Sequence, residues 1–248
     1  MKNVEYKSSD IKDYFSTNRI KWNQFYLSER TVIGHLKPRF NTSILDVGCG
    51  CGGLGFALKE KFSVLNYTGV EINKLAAEAA IKMNPTAKFY CGDILDLSST
   101  VLKEKTFDIA FSLGCIDWNT QFQKSLQAIW EHVKPGGYLV ATFRLTDKES
   151  VNDINRSYQF INYKGKKEGE IASYVVINLS DLIAYFSTLE PSEIYGYGYW
   201  GSPSATAVTP FDKLCFAAIS VKKRSKNENV TEINLNLDLP SDIISILK

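Results

Sequence analysis

Two histidines in 248 residues leave little room for imidazole chemistry. His132 falls on a predicted helix just before Val133, away from the strand ends where ligands collect in α/β sheets, so a packing role is expected for it. His35, near the end of the N-terminal helices, either caps them or faces the cleft. The five cysteines, at positions 49, 51, 91, 115 and 215, have no zinc-ligand spacing and no histidine neighbour, so no metal site is expected and the thiols read as reduced. No apolar run reaches the length of a membrane-spanning helix, and Met1 to Asp13 is polar without a signal core; a cytoplasmic chain with no membrane contact is expected. Basic and acidic residues nearly balance, 29 against 27, and the basic ones are scattered. Lys222, Lys223 and Arg224 read as a solvated strand end. That distribution disfavours nucleic acid and points to a small-molecule substrate.

What is present describes a globular α/β chain. A hydrophobic content of 44% with 12% aromatics excludes disorder, and the length suits one domain with appendages. Apolar runs near 43–47, 67–71, 88–91, 107–112 and 138–144 predict strands, with helices near 53–62, 74–83 and 120–133. This alternation predicts a mostly parallel sheet with helices on both faces. Before it, Ser9 to Leu36 predicts two helical stretches, broken near Leu27 and Ser28 and closed by Lys37 and Pro38. After it, Asp147 to Gly169 reads as part helix and part excursion over the sheet edge. Ser173 to Ile177 reads as a short strand, and Ser180 to Thr188 as a helix capped by Ser180. Glu193 to Trp200 and Leu214 to Lys222 read as two closing strands. The tail, with its alternating Leu and Ile, covers an edge or a partner subunit. The expected division is a helical cap over 1–40, a main domain over 41–224 and a tail over 225–248, in a monomer or homodimer.

The most specific stretch runs Ile44, Leu45, Asp46, Val47, Gly48, Cys49, Gly50, Cys51, Gly52, Gly53. A short strand delivers an acid into a glycine turn whose backbone takes positive φ and approaches a ligand closely. The spacing alone satisfies both G-x-G-x-x-G and G-x-G-x-G, so a nicotinamide dinucleotide and other nucleotide-like cofactors both remain open. Further on, Glu71 ends a second strand about twenty residues after the turn, where an acid accepts hydrogen bonds from ribose hydroxyls. Asp93 ends a third, suited to an adenine amino group. Val133 to Val140 gives a helix end, a Pro-Gly-Gly turn and a new strand.

With these motifs in order from about Thr42 to Thr146, the chain resembles the class I S-adenosylmethionine-dependent methyltransferases. The resemblance implies a Rossmann-like, seven-stranded, mostly parallel sheet with an antiparallel last strand and an N-terminal helical lid. It implies S-adenosyl-L-methionine as cofactor. The methionine end is held by Asp46, Gly48, Cys49 and Gly50, with Asp46 facing the amino group. Glu71 and Ile72 take the ribose, Asp93 and Ile94 the adenine, and Ser112 stands at the end of the fourth strand beside the transferred methyl.

On the substrate side, Asp117 follows the fourth strand and either accepts a proton from the acceptor or caps the helix after it. The segment departs from the Pro-Pro-aromatic motif of many amine and adenine methyltransferases, which favours oxygen as acceptor. In Tyr195 to Pro203, alternation puts the tyrosines on one strand face, and the glycines between them suit a flat binding wall; core packing is the other reading. Trp22, Tyr26 and Arg30 supply a lid, Tyr197, Tyr199 and Trp200 a wall, and Arg144 an anion contact. These flanks resemble, more loosely, the methyltransferases of bacterial surface-polysaccharide pathways. The expectation is O-methylation of a small carbohydrate-linked, nucleotide-linked or phosphorylated metabolite. The alternatives are N-methylation, or a cofactor-binding subunit without activity of its own.

Overall fold

Four of the five residues of the strand Ser43–Val47 are buried, Asp46 among them, so this segment belongs in the middle of a sheet covered on both faces. The computed structural model places it there. It describes residues 10–162, 165–226 and 232–247; the polar stretch 1–9 and residues 227–231 of the tail lie outside them. In chain order, α1 (Asp10–Phe15) and α2 (Leu27–Leu36) precede β1 (Ser43–Val47). Then α3 (Gly53–Phe62) leads to β2 (Asn66–Glu71), α4 (Lys74–Met83) to β3 (Lys88–Cys91), α5 (Ile94–Leu97) to β4 (Phe107–Ser112) and α6 (Phe122–Glu131) to β5 (Val133–Thr146). Three short strands follow, β6 (Tyr158–Phe160), β7 (Ile171–Ser173) and β8 (Ile177–Asn178), then α7 (Leu179–Ser187) and β9 (Pro191–Gly201). The chain closes with β10 (Ala207–Val208), β11 (Leu214–Lys223), β12 (Asn234–Asp238) and α8 (Ser241–Ser245).

The main sheet runs β12-β9-β11-β5-β4-β1-β2-β3, with β8 alongside β5, so it has nine strands rather than the seven expected. Only β11 runs against its neighbours, β5 and β9. It is not the last strand of the chain: β12, from the tail, adds to the edge of the sheet parallel to β9. The glycines of β9 explain that addition. A Cβ at Gly196 would lie 2.9 Å from Leu237, and one at Gly198 2.8 Å from Leu239, so the missing side chains admit the leucines of the tail. The glycines therefore serve sheet packing, and no flat ligand wall forms there.

Local expectations fail where side chains find partners that a sequence window does not contain. The Pro-Gly-Gly stretch is not a turn before β5 but an irregularity inside it: Phe107 pairs with Val133 and Ile109 with Tyr138, so the residues between are taken up as a bulge. No helix forms over 147–162; instead β6 joins β7 and β10 in a separate three-stranded sheet. Asn178 caps α7 in place of Ser180, its side chain accepting the Ser180 amide at 2.8 Å. The N-terminal break comes earlier than Leu27, as a single helical turn over Trp22–Gln24, and Glu29 fixes the start of α2 by accepting the Tyr26 amide at 2.8 Å.

The core lies on both faces of the sheet. On one, α2 buries Val32 and Ile33 together with Ile44, Leu58 and Ala218, so residues 27–36 share the core of the sheet. Ile33→Ala is accordingly expected to lower stability by about 2 to 5 kcal/mol in urea denaturation. A helix lying outside the core would lose no more than about 0.5 kcal/mol.

Candidate active site

The site is built where β1, β2, β3 and β4 end. Behind Asp46 the chain turns through Gly48, at φ 77°, with so little clearance that a Cβ there would lie 2.3 Å from the Cys115 sulfur. The amides of Gly48 and Cys49 both donate to the Val70 carbonyl, at 2.9 and 3.1 Å, which ties the turn to β2. Glu71 completes the tie: its carboxylate accepts the Gly50 amide at 2.8 Å and the Asn73 amide at 2.9 Å. Asp93 is buried and caps α5, accepting the Leu95 amide at 3.0 Å. Asp46 is buried as well and accepts the Tyr67 hydroxyl at 2.5 Å. Burial pushes its carboxyl up to about 7, against the opposing effects of that hydrogen bond and of Arg19.

These groups face one cavity of about 590 Å³. Of the residues singled out from sequence, Asp46, Gly48, Cys49, Gly50, Glu71, Ile72, Asp93, Ile94, Tyr26, Asp117 and Arg144 line it together. The others lie elsewhere. Ser112 is wholly buried and donates to the Val47 carbonyl at 3.2 Å, clipping β4 to β1. Trp22 packs edge-on against Phe62 at 5.2 Å, and Arg30 donates to the Phe25 carbonyl at 3.1 Å. Tyr197 packs into the layer beneath α2, Tyr199 lies against Phe216, and Trp200 carries the Lys213 ammonium 4.1 Å from its ring centre. His35 stacks on Tyr195, and His132 pairs through Nδ1 with the Lys105 carbonyl at 2.8 Å. Burial raises the Cys49 and Cys115 thiols, the latter to about 12, which keeps both protonated and unreactive. No group of three His, Cys, Asp or Glu suited to a metal occurs among the described residues.

Also lining the cavity, Asp117 and Arg144 form a buried ion pair at 3.2 Å, and the guanidinium donates to the Asp117 carbonyl at 2.7 Å. The rings of Trp118 and Tyr174 pack against it, 4.3 and 3.8 Å from its carbon. Arg144 is thus already neutralised and does not wait for an anion. Asp117 is no helix cap either: the Gln121 amide at the start of α6 is accepted by Asn119, at 2.8 Å. Its Oδ1 has no hydrogen-bond partner, and burial pushes its carboxyl up while Arg144 holds it down.

Sequence reasoning missed Arg19. Its guanidinium makes two bonds to the buried Glu29, at 3.1 and 2.8 Å, and its carbonyl crosses the start of α3, where a Cβ at Gly53 would lie only 2.1 Å away. The fourth glycine of the run was the available signal for that crossing. Gln159, Ser204 and Thr206 also went unnoticed, because the small sheet that brings them to the cavity is made of strands only two or three residues long.

Removing one partner of the buried pair strands the other. Arg144→Met is expected to cost about 3 to 5 kcal/mol in chemical denaturation, whereas Asp117→Leu with Arg144→Met is expected to recover most of that loss. A double variant as unstable as the single one would contradict the pairing.

Residues 44–137 match the family model described as "Methyltransferase domain". Trans-aconitate 2-methyltransferase of Deinococcus radiodurans is 30% identical over 97 residues, 39% of this chain and 35% of that one. Malonyl-[acyl-carrier protein] O-methyltransferase of Buchnera aphidicola is 26% identical over 174 residues, 68% of this chain and 67% of that one. Phosphoethanolamine N-methyltransferase 2 of Haemonchus contortus, solved with phosphomonomethylethanolamine and S-adenosylhomocysteine, superposes with a TM-score of 0.60 at 14% identity, covering 90% of this chain and 58% of that one. The chain therefore spans between one third and two thirds of the curated relatives quoted. No helix among the described residues is long and apolar enough to cross a membrane. The glycine turn and the acids behind it lie within residues 44–137, the stretch that matches the methyltransferase-domain model, and the fold around them is the Rossmann-like one of the solved structure.

Proposed function

We propose that this chain transfers the methyl group of S-adenosylmethionine to an oxygen of a small molecule. The observation that carries the reading is one cavity lined by the glycine turn, Glu71, Asp93 and Asp117, a carboxylate whose buried Oδ1 lacks a donor. The backbone at Gly48 to Gly50 and the Asp46 carboxylate hold the methionine end, Glu71 the ribose hydroxyls, and Asp93 with Ile72 and Ile94 the adenine. When bound, the cofactor supplies a methyl group activated by its sulfonium charge. In-line transfer requires alignment and exclusion of water more than new charge. Tyr14, Phe15, Phe25 and Tyr26, all lining the cavity, serve as the lid on its N-terminal side. Asp117 accepts a hydrogen bond from the acceptor hydroxyl and takes its proton as the new bond forms.

Relatives carry both oxygen and nitrogen chemistry in their names. Oxygen is favoured here because the Arg144 cation, 3.2 Å from Asp117, repels an ammonium at the same carboxylate. The carbohydrate-pathway expectation drew on Trp22 to Arg30 and Tyr197 to Pro203; of these residues Phe25, Tyr26 and Ser28 line the cavity, and none of the second group does.

Calorimetric titration with S-adenosylhomocysteine tests the reading. Asp46 is largely protonated below pH 7 and an ammonium favours its ionised form, so affinity is expected to rise roughly tenfold from pH 5.5 to 7, with Asp46→Asn removing the dependence. Glu71→Ala is expected to weaken binding about 10- to 100-fold, the loss of hydrogen bonds to a charged group. Absence of binding to the unaltered chain would overturn the proposal.

A further inference from the structure

We infer that the molecule methylated is uncharged, an alcohol or phenol carried on a flat apolar body; this rests on the methyltransferase reading above. Both arginines that line the cavity are already paired with carboxylates. Arg144 is matched by Asp117 at 3.2 Å with both side chains under 10% exposed, and Arg19 by the fully buried Glu29 at 2.8 Å. Taking an ion out of water costs several kcal/mol unless a counter-charge receives it. A phosphate or carboxylate reaching Asp117 meets a guanidinium already spent on that carboxylate. An ammonium meets the same guanidinium as a like charge. A hydroxyl meets neither penalty, and it donates to the Asp117 carboxylate, whose buried Oδ1 lacks a donor.

The rest of the wall fits such a molecule. The small three-stranded sheet and the turn before β10 bring Gln159, Ser204 and Thr206, neutral groups that donate and accept hydrogen bonds. Apolar surface comes from Tyr26, Phe160 and Phe216, which line the same cavity. Neutral polar groups beside aromatic ones select by shape and hydrogen bonding, without charge. This sets the chain apart from relatives named for phosphoethanolamine, a molecule with a charge at each end.

Three para-substituted phenols, one neutral, one anionic and one cationic, supply the test: 4-hydroxybenzamide, 4-hydroxybenzoate and tyramine. S-Adenosylhomocysteine is titrated first; if it does not bind, the methyltransferase reading falls and this inference with it. On the protein loaded with S-adenosylhomocysteine, the neutral amide is expected to bind about tenfold or more tightly than either charged phenol. With S-adenosylmethionine carrying a labelled methyl, it is the one expected to be methylated. Asp117→Asn leaves Arg144 without its counter-charge, so the variant is expected to gain about tenfold for 4-hydroxybenzoate relative to the amide, with unchanged affinity for S-adenosylhomocysteine reporting an intact fold. Preference of the unaltered protein for a charged phenol, binding of none of the three, or an unchanged ranking in the variant would each overturn the inference while leaving the methyltransferase reading in place.

Discussion

Three stretches of chain converge on the glycine run at distances that no side chain tolerates. Gly48 backs onto Cys115 beyond β4, Gly52 onto Asn84 and Ala80 of α4 and its end, and Gly53 onto the Arg19 carbonyl of the N-terminal segment. The Asn84 amide then donates to the Gly52 carbonyl at 2.9 Å, fixing that approach. The narrowness of this turn is what lets β1, β4 and the N-terminal segment enclose one cavity. A Cβ at any of the three positions would push its neighbour outward and open the floor of the site.

Burial of charge is the second constraint, and it follows from the first. Enclosure removes Asp46, Glu29, Asp117 and Arg144 from water, so each requires a partner. Asp46 has the Tyr67 hydroxyl, Glu29 has Arg19, and Asp117 has Arg144. Two of these arrangements stop short of full satisfaction. Asp46 lacks a contact cation strong enough to hold its carboxyl in the usual carboxylate range, and Asp117 keeps one oxygen without a donor. Incompletely compensated groups on a cavity wall are the ones a ligand completes, which is why the cofactor's ammonium and the acceptor's hydroxyl are assigned to them.

How much of this could be read beforehand depends on the range of the interaction. The bounds of β1, α3, α4, β3 and β4 follow from apolar period and from glycine and asparagine punctuation, signals contained within each segment. The glycine turn and its acids were legible for the same reason. The Pro-Gly-Gly stretch misled because a bulge and a turn use the same residues, and only pairing with Phe107 and Ile109 tells them apart. Gly196 and Gly198 misled more instructively: their purpose is set by Leu237 and Leu239, some forty residues on, which pass across them at the sheet edge. Arg144 and Asp117 were both picked out, but their pairing joins β5 to the turn after β4, and it changes the role of each.

The most direct measurement is a crystal structure of the chain with S-adenosylhomocysteine and a neutral phenol. The account predicts the homocysteine end against Gly48 to Gly50 and beside Asp46, the ribose hydroxyls on Glu71, and the phenol oxygen between the cofactor's sulfur and Asp117 Oδ1. A nucleoside bound away from Glu71, or a phenol oxygen with no contact to Asp117, would contradict it.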